Sequence, residues 1–160
     1  SIMDQDNFPD AVEAAAMSRV ASCNNLMVCG PGGEMVSLEM EHKSYAMLYM
    51  KNGVIAHANH YKHPSMPRPP YRQMDTYPKD EIRSFRLDYL AERLQGDELS
   101  VKDIMNILSE HTVNYPASIC QHLPGCATNF ATVNDLNKLE VHISVGNPCG
   151  GYITVRPFEE

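Results

Sequence analysis

The residues best placed for chemistry lie around position 59, in the string Gly53-Val54-Ile55-Ala56-His57-Ala58-Asn59-His60. Residues 54–58 read as a strand, which puts Asn59 at its end. There a ladder holds the backbone while the side-chain amide faces open space. A rigid element is the right place for a hydrogen-bond donor aimed at a developing oxyanion. The plainer reading of the same residue is an Asx turn that closes a hairpin. Strand alternation sets Ile55, His57 and Asn59 on one face, so His57 is expected beside Asn59 as a positioning group. The spacing of His57, His60 and His63 also invites a zinc reading. Zinc sites at short spacing usually add a clearer cysteine or carboxylate partner, and no metal is expected.

Other side chains offer weaker chemistry. Cys120-Gln121-His122 with Cys126 forms a second thiol or metal cluster, whose plain alternative is cysteine used as a small buried hydrophobe. Five cysteines and seven histidines make some pairings inevitable, and none sits in a recognisable nucleophile motif. Ser1 joins a hydroxyl to an α-amine, a legitimate nucleophile–base pair, yet residues 4–8 lead into a helix rather than a strand. Glu41 could receive a cationic substrate such as an amine, or stand solvated at a strand end. Arg83 and Arg86 could clasp a substrate carboxylate with their planar guanidinium forks, or line a solvated helix face.

These residues need elements to hold them. Asn7-Phe8-Pro9-Asp10 reads as a helix start, followed by an alanine-rich helical stretch over residues 11–20. Strands are expected at 26–29, 34–40, 45–50 and 54–58, with turns at Gly30-Pro31-Gly32-Gly33 and Lys51-Asn52-Gly53. Residues 24–59 thus read as four antiparallel strands. In the second of them Met35, Leu38 and Met40 alternate with polar residues. A proline-rich loop, Tyr61 to Tyr77, is long enough to cover part of a site or to meet a partner. From Pro78 the spacing predicts a helix with Ile82, Phe85, Tyr89, Leu90 and Leu94 on one face. Ser100 caps another, with Val101, Ile104, Met105 and Leu108 inward. Strands at 128–133, 139–145 and 152–155 close the chain, turning at Asn134-Asp135 and Gly146-Asn147-Pro148. Runs of strands followed by runs of helices mean α+β rather than a parallel α/β fold.

Bulk properties narrow the function classes. A net charge of -7 argues against nucleic acid or an anionic membrane as the main partner, since both favour a basic face. No apolar run approaches the roughly 18 residues of a membrane span, and no signal peptide is visible. An odd, sparse set of five cysteines suits reduced thiols, so a cytoplasmic protein is expected. The 160 residues read as a single domain or fragment.

Three segments resemble the acyl-coenzyme A:isopenicillin-N acyltransferase family. Residues 53–60 are similar to its G-x-x-x-H-T-N-H. Tyr115-Pro116-Ala117-Ser118-Ile119-Cys120 is similar to its Y-P-x-S-I-C, and Val145-Gly146-Asn147-Pro148-Cys149 to the G-x-P segment of its last hairpin. An arginine-bearing helix near Ser84-Phe85-Arg86, the Leu38-Glu39 pair and residues 21–28 also look like the family, in register.

The resemblance implies a four-layer αββα sandwich of the N-terminal-nucleophile hydrolases, of which residues 1–160 form the C-terminal part. It implies a linear-amide hydrolase or acyltransferase. An N-terminal cysteine on a preceding segment, with its own α-amine as base, would attack an amide or thioester carbonyl. Asn59 is then the catalytic oxyanion donor. His57, Arg86 and Ser118 are then expected to bind or position substrate, and Glu41 joins them on its charge rather than on the resemblance. No cofactor is implied, acyl-coenzyme A entering only as a substrate. The partners are the nucleophile-bearing segment of the same precursor and a small amide or thioester. Two departures steer away from penicillin chemistry: Gln121 stands where those enzymes carry arginine, and Met40-Glu41 where they carry serine. The rival reading is a non-catalytic ligand- or partner-binding domain that kept half of the fold. A histidine-rich metal-binding module is a third and weaker reading.

Overall fold

A polar cap and a proline start the first helix. Asn7 accepts from the backbone N–H of Asp10 at 3.0 Å, and Pro9 sits in the first turn, where its missing N–H costs nothing. Helix α1 runs Phe8–Ala16. The computed structural model describes residues 1–66, 77–93, 99–112, 115 and 118–157. The chain divides into two compact units, Ser1–Asp80 and Glu81–Glu160.

In the first unit, strands β1 (Asn24–Cys29), β2 (Met35–Met40) and β3 (Tyr45–Tyr49) form an antiparallel meander in the order β1-β2-β3. The register sets Leu26, Leu38 and Met47 abreast, and Asn25, Glu39 and Ala46 abreast one residue further on. These two rows face opposite sides of the sheet. Helix α1 covers the first side, where Ala15 joins Val28, Val36, Leu38 and Met40 in the core, with Phe8 and Val12 packed against them. Alanine at positions 11 and 15 lets the helix axis lie close to the sheet.

The expected alternation in β2, apolar in and polar out, does not hold. Val36, Ser37, Leu38, Glu39 and Met40 are all buried. The strand is central, with α1 over one face and the chain from His57 onward bonded to the other, so its polar residues are enclosed too. The fourth expected strand, 54–58, is also absent. The Asn-Gly turn forms as expected, with Asn52 at φ 50 and Gly53 at φ 77. Lys51 and Val54 then make an isolated bridge and the ladder stops. Beyond it the chain turns to meet the buried Glu39, and that pull prevails over the strand propensity of Val54 and Ile55. The expected loop from Tyr61 is described only as far as Met66, which is itself buried; residues 67–76 lie outside the described residues.

Among the described residues, the second unit holds most of α2 (Tyr77–Arg93), all of α3 (Val101–Leu108) and five short strands. Ser100 and Asp103 cap α3 reciprocally: Ser100 Oγ accepts from the Asp103 N–H at 3.2 Å, and Asp103 accepts from the Ser100 N–H at 3.0 Å. The expected inward residues of α3 are half-buried. In α2 the expected inward face is not found. Ile82, Phe85 and Tyr89 are exposed, Leu90 is half-buried and Leu94 lies outside the described residues. The less exposed side carries Ser84 and Leu87, one turn apart.

Strands β4 (His122–Leu123) and β5 (Cys126–Ala127) form a minimal hairpin. Strands β6 (Thr132–Asp135), β7 (Glu140–Ser144) and β8 (Tyr152–Val155) form a second antiparallel meander. The turn after β6 falls two residues later than expected. Asn134 and Asp135 pair with β7, and Asp135 accepts from the N–H groups of Asn137 and Lys138 to build the turn that follows. The fold class is α+β with antiparallel sheets, as the sequence pattern implies. Among the described residues no helix is long and apolar enough to cross a membrane.

Leu38 is fully buried between α1 and the sheet, so Leu38→Ala is expected to cost about 2–5 kcal/mol. Met27, on the same meander but 41% exposed, should lose well under half as much when cut to alanine. Urea titrations of the two variants measure the difference.

Candidate functional site

The chemistry-bearing residues of the first unit are organised by one carboxylate. Glu39 is wholly buried on β2 and receives three hydrogen bonds from a single stretch of chain. His57 Nε2 meets Glu39 Oε1 at 2.6 Å. The backbone N–H of Lys62 donates to the same oxygen, and that of His63 donates to Oε2 at 2.9 Å. Tyr61 adds a fourth tie, its hydroxyl donating to the carbonyl of Met40 at 2.9 Å. Burial, followed by the neighbouring Cys23, Glu41 and Glu39, pushes the Tyr61 phenol well above its usual range and keeps it a neutral donor. A buried carboxylate needs such partners, and here the partners come from the loop.

Residues 57–63 are therefore held at both ends. Asn59 lies in the bend between the anchors and is exposed. It does not close a strand as expected, because the ladder ends at Val54. The His57 side chain is 4% exposed and committed to Glu39. His63 turns to Ser65, with Nδ1 at 2.7 Å from the hydroxyl, so the histidines at 57 and 63 serve different partners. Glu41 belongs to the β2–β3 turn. Its Oε1 accepts from the Ser44 hydroxyl at 2.6 Å, and its backbone N–H donates to the Ser44 carbonyl.

The other two expected site residues lie in the second unit, and both are engaged. Arg86 donates from Nη2 to Glu110 at 2.9 Å and stands over the Tyr89 ring at 5.3 Å. The guanidinium that could have clasped a substrate carboxylate already holds a protein one. Ser118 is buried and donates to the carbonyl of Cys120 at 2.7 Å. The side chain of Arg83 lies outside the described residues.

A second constellation gathers in the same unit. His111 follows α3, Cys120 and His122 flank Gln121 at the start of β4, and Cys149 lies in a short 3-10 turn, Pro148–Gly150, between β7 and β8. One donor atom from each of the four lies within 4.8 Å of all the others. His122 Nε2 stands 3.0 Å from His111 Nε2, 3.4 Å from Cys120 Sγ and 3.5 Å from Cys149 Sγ. The Tyr115 ring packs edge-on against His111 at 5.7 Å. Burial pushes the Cys120 thiol above its usual range, with the Cys149 thiol adding to the shift and the Cys149 backbone opposing it. Cys126, grouped with Cys120 and His122 on sequence spacing, is exposed and 3.5 Å from Gln121 Nε2 instead. These four side chains can hold a metal. His111 and Cys149 were missed because each is many residues from the Cys120-x-His122 pair.

No protein-family model matches the chain, and no curated protein matches it.

Two experiments probe these networks. Glu39→Ala strands His57 and two backbone donors in the interior. It is expected to cost about 3–5 kcal/mol, the penalty for breaking a buried pair. Amide exchange at Lys62 and His63 should accelerate markedly, while exchange in β1 should track global stability alone. The second concerns Glu110. Burial raises its pKa, but hydrogen bonds from Thr112 and Arg86 outweigh that and hold the carboxyl below its ordinary value. Its stabilisation is then fully present above the ordinary glutamate range, near pH 4.3. It is lost as the pH falls through the lowered value. Glu110→Gln should flatten this acid limb in a pH series of denaturation midpoints.

Proposed function

We propose that the chain is part of a linear-amide hydrolase or acyltransferase of the N-terminal-nucleophile type, with Asn59 as the oxyanion donor. One observation carries the reading: an exposed asparagine amide on a bend whose two flanks are fixed to a buried carboxylate. A donor of this kind works only if it does not have to be ordered during the reaction, and Glu39 has already ordered its backbone. The similarity of residues 53–60 to the G-x-x-x-H-T-N-H segment agrees with that role.

In this reading a cysteine thiol on a segment outside these 160 residues attacks the substrate carbonyl, its α-amine taking the proton. The carbonyl oxygen becomes an alkoxide, and the Asn59 amide N–H donates to it. Collapse of the tetrahedral intermediate expels the amine or thiol and leaves a thioester on the nucleophile. Water or an acceptor amine then completes hydrolysis or transfer. His57 acts at a distance, holding the Asn59 backbone through Glu39. The remaining sheets and helices would complete a four-layer αββα sandwich.

A second reading rests on a separate feature. Phe8, Val12, Met35, Met47 and Tyr49 line an open, mainly apolar groove of about 710 Å³ in the first unit. A non-catalytic domain that binds an apolar ligand would use that groove and leave Asn59 idle.

The two readings separate on Asn59. In the 160-residue chain joined to its nucleophile segment, Asn59→Ala should lower kcat about 10²- to 10³-fold with the denaturation midpoint unchanged. Asn59→Asp should be at least as damaging, since a carboxylate repels the oxyanion. Single-turnover acylation on N-acyl amines and acyl thioesters measures both. An Asn59→Ala variant of undiminished activity sinks the oxyanion role.

A further inference from the structure

We infer that His111, Cys120, His122 and Cys149 form a Cys₂His₂ zinc site that staples the second unit, a feature independent of the amide chemistry proposed above. The sequence spacing predicts no metal: His57, His60 and His63 have no fourth ligand at suitable spacing, and Cys120-Gln121-His122 with Cys126 makes only a weak cluster. Of these candidates Cys120 and His122 converge, and His111 and Cys149 join them.

Geometry distinguishes a metal site from a chance hydrogen-bonded cluster. Zinc bonds nitrogen at about 2.0–2.1 Å and sulfur at about 2.3 Å in a tetrahedron. The edges of that tetrahedron are then about 3.3 Å between two nitrogens and about 3.6 Å between nitrogen and sulfur. The three edges that meet at His122 Nε2 are 3.0, 3.4 and 3.5 Å. All three fall within a few tenths of an ångström of the expected values. A neutral imidazole nitrogen has either one proton or one lone pair in the ring plane, so it cannot satisfy three partners by hydrogen bonding. A common cation at the centre accounts for all three contacts together.

The donor set fits the ion. Two thiolates and two imidazoles are the borderline-soft ligands that select zinc in a closed, four-ligand site, and two thiolates neutralise the divalent charge. The scaffold presents them from three separate segments. The chain leaving α3 brings His111, and a backbone bond from the Cys120 N–H to the Glu110 carbonyl ties that chain to the next segment. The Ser118 hydroxyl, donating to the Cys120 carbonyl, shapes the peptide that carries the first thiol. Cys120 and His122, two residues apart, reach the same side. Cys149 comes from the β7–β8 connection, where the backbone bends sharply at Gly146 and Gly151, both at positive φ. A metal here closes loops of chain running from residue 111 to 149, which gives it leverage on the stability of the unit.

None of the four ligands is a carboxylate, which makes calcium or magnesium a poor match. The competing explanation is a redox pair. With the two thiols this near, an oxidant of the thiol–disulfide type could join Cys120 Sγ to Cys149 Sγ, two electrons and two protons leaving for the oxidant. That reading explains the sulfurs but assigns no part to the two convergent imidazole nitrogens.

The test uses the whole 160-residue chain, purified under reducing conditions without a metal-affinity column. Metal content is measured by elemental analysis, and the metal-free protein is titrated with Co²⁺ and then with Zn²⁺. One zinc per chain is expected, with the visible bands of a tetrahedral thiolate-bound cobalt that added zinc abolishes. Cys149→Ser, at the exposed corner of the site, should weaken zinc affinity about 100-fold or more. Cys126→Ser should change nothing. His122→Asn should shift the cobalt spectrum even if Cys120→Ser fails to fold. Absence of stoichiometric metal overturns the proposal, and so does binding that survives Cys149→Ser. A Cys120–Cys149 disulfide found by mass spectrometry in protein that takes up no Co²⁺ after reduction overturns it in favour of the redox pair.

Discussion

A carboxylate taken wholly out of water must be repaid by hydrogen bonds, and that constraint shapes the first unit. Glu39 sits on the central strand, opposite the face that α1 covers. Its neighbours on its own row, Asn25 and Ala46, leave its oxygens to be satisfied from elsewhere. The chain beyond the hairpin supplies one imidazole and two backbone N–H groups. Three donors on two oxygens convert a segment without strand or helix into one with a defined path. Asn59 lies exposed on that path, between the anchors at His57 and His63.

The second unit solves a similar problem by different means. Its strands are short and its helices expose much of their apolar surface, including Phe85 at 70%. Polar links carry a larger share of its definition. The Ser100–Asp103 cap starts α3, the Arg86–Glu110 pair joins α2 to the chain after α3, and the imidazole and thiol groups draw three segments to a point. Removing one partner of such a link leaves the other stranded, so these contacts specify which segments meet more than they add net stability.

Much of the element order was legible in the sequence. Local signals are strong where a single residue type answers a single backbone demand: Asn7 and Ser100 as caps, Pro9 in the first turn, Asn52-Gly53 at positive φ. The strand at 54–58 was misread because local propensity cannot register the pull of Glu39, which lies 18 residues away from His57 in sequence. Glu39 itself looked like the polar half of an alternating strand, and only the covering of both faces makes it central. The face of α2 was misread because spacing alone does not say which side finds a partner. Of the candidate site residues, Asn59 lies exposed in a bend. His57, Glu41, Arg86 and Ser118 are each engaged within the protein. His111 and Cys149 carried no local signal, because three segments distant in sequence have to fold before their donor atoms converge.

The Glu39 hub also bears on the order of folding events. The β1-β2-β3 meander is built from neighbouring strands with short turns, the kind of local contact that forms early. Completing it would bury Glu39 before the chain from 57 to 63 has arrived, and a bare carboxylate in that position is costly. The meander and its covering segment are thus obliged to condense together, through contacts 18 to 24 residues apart. The barrier to forming this unit lies in closing that loop rather than in zipping the hairpins, and the carboxylate that fixes the path of residues 57–63 is also what makes its assembly cooperative.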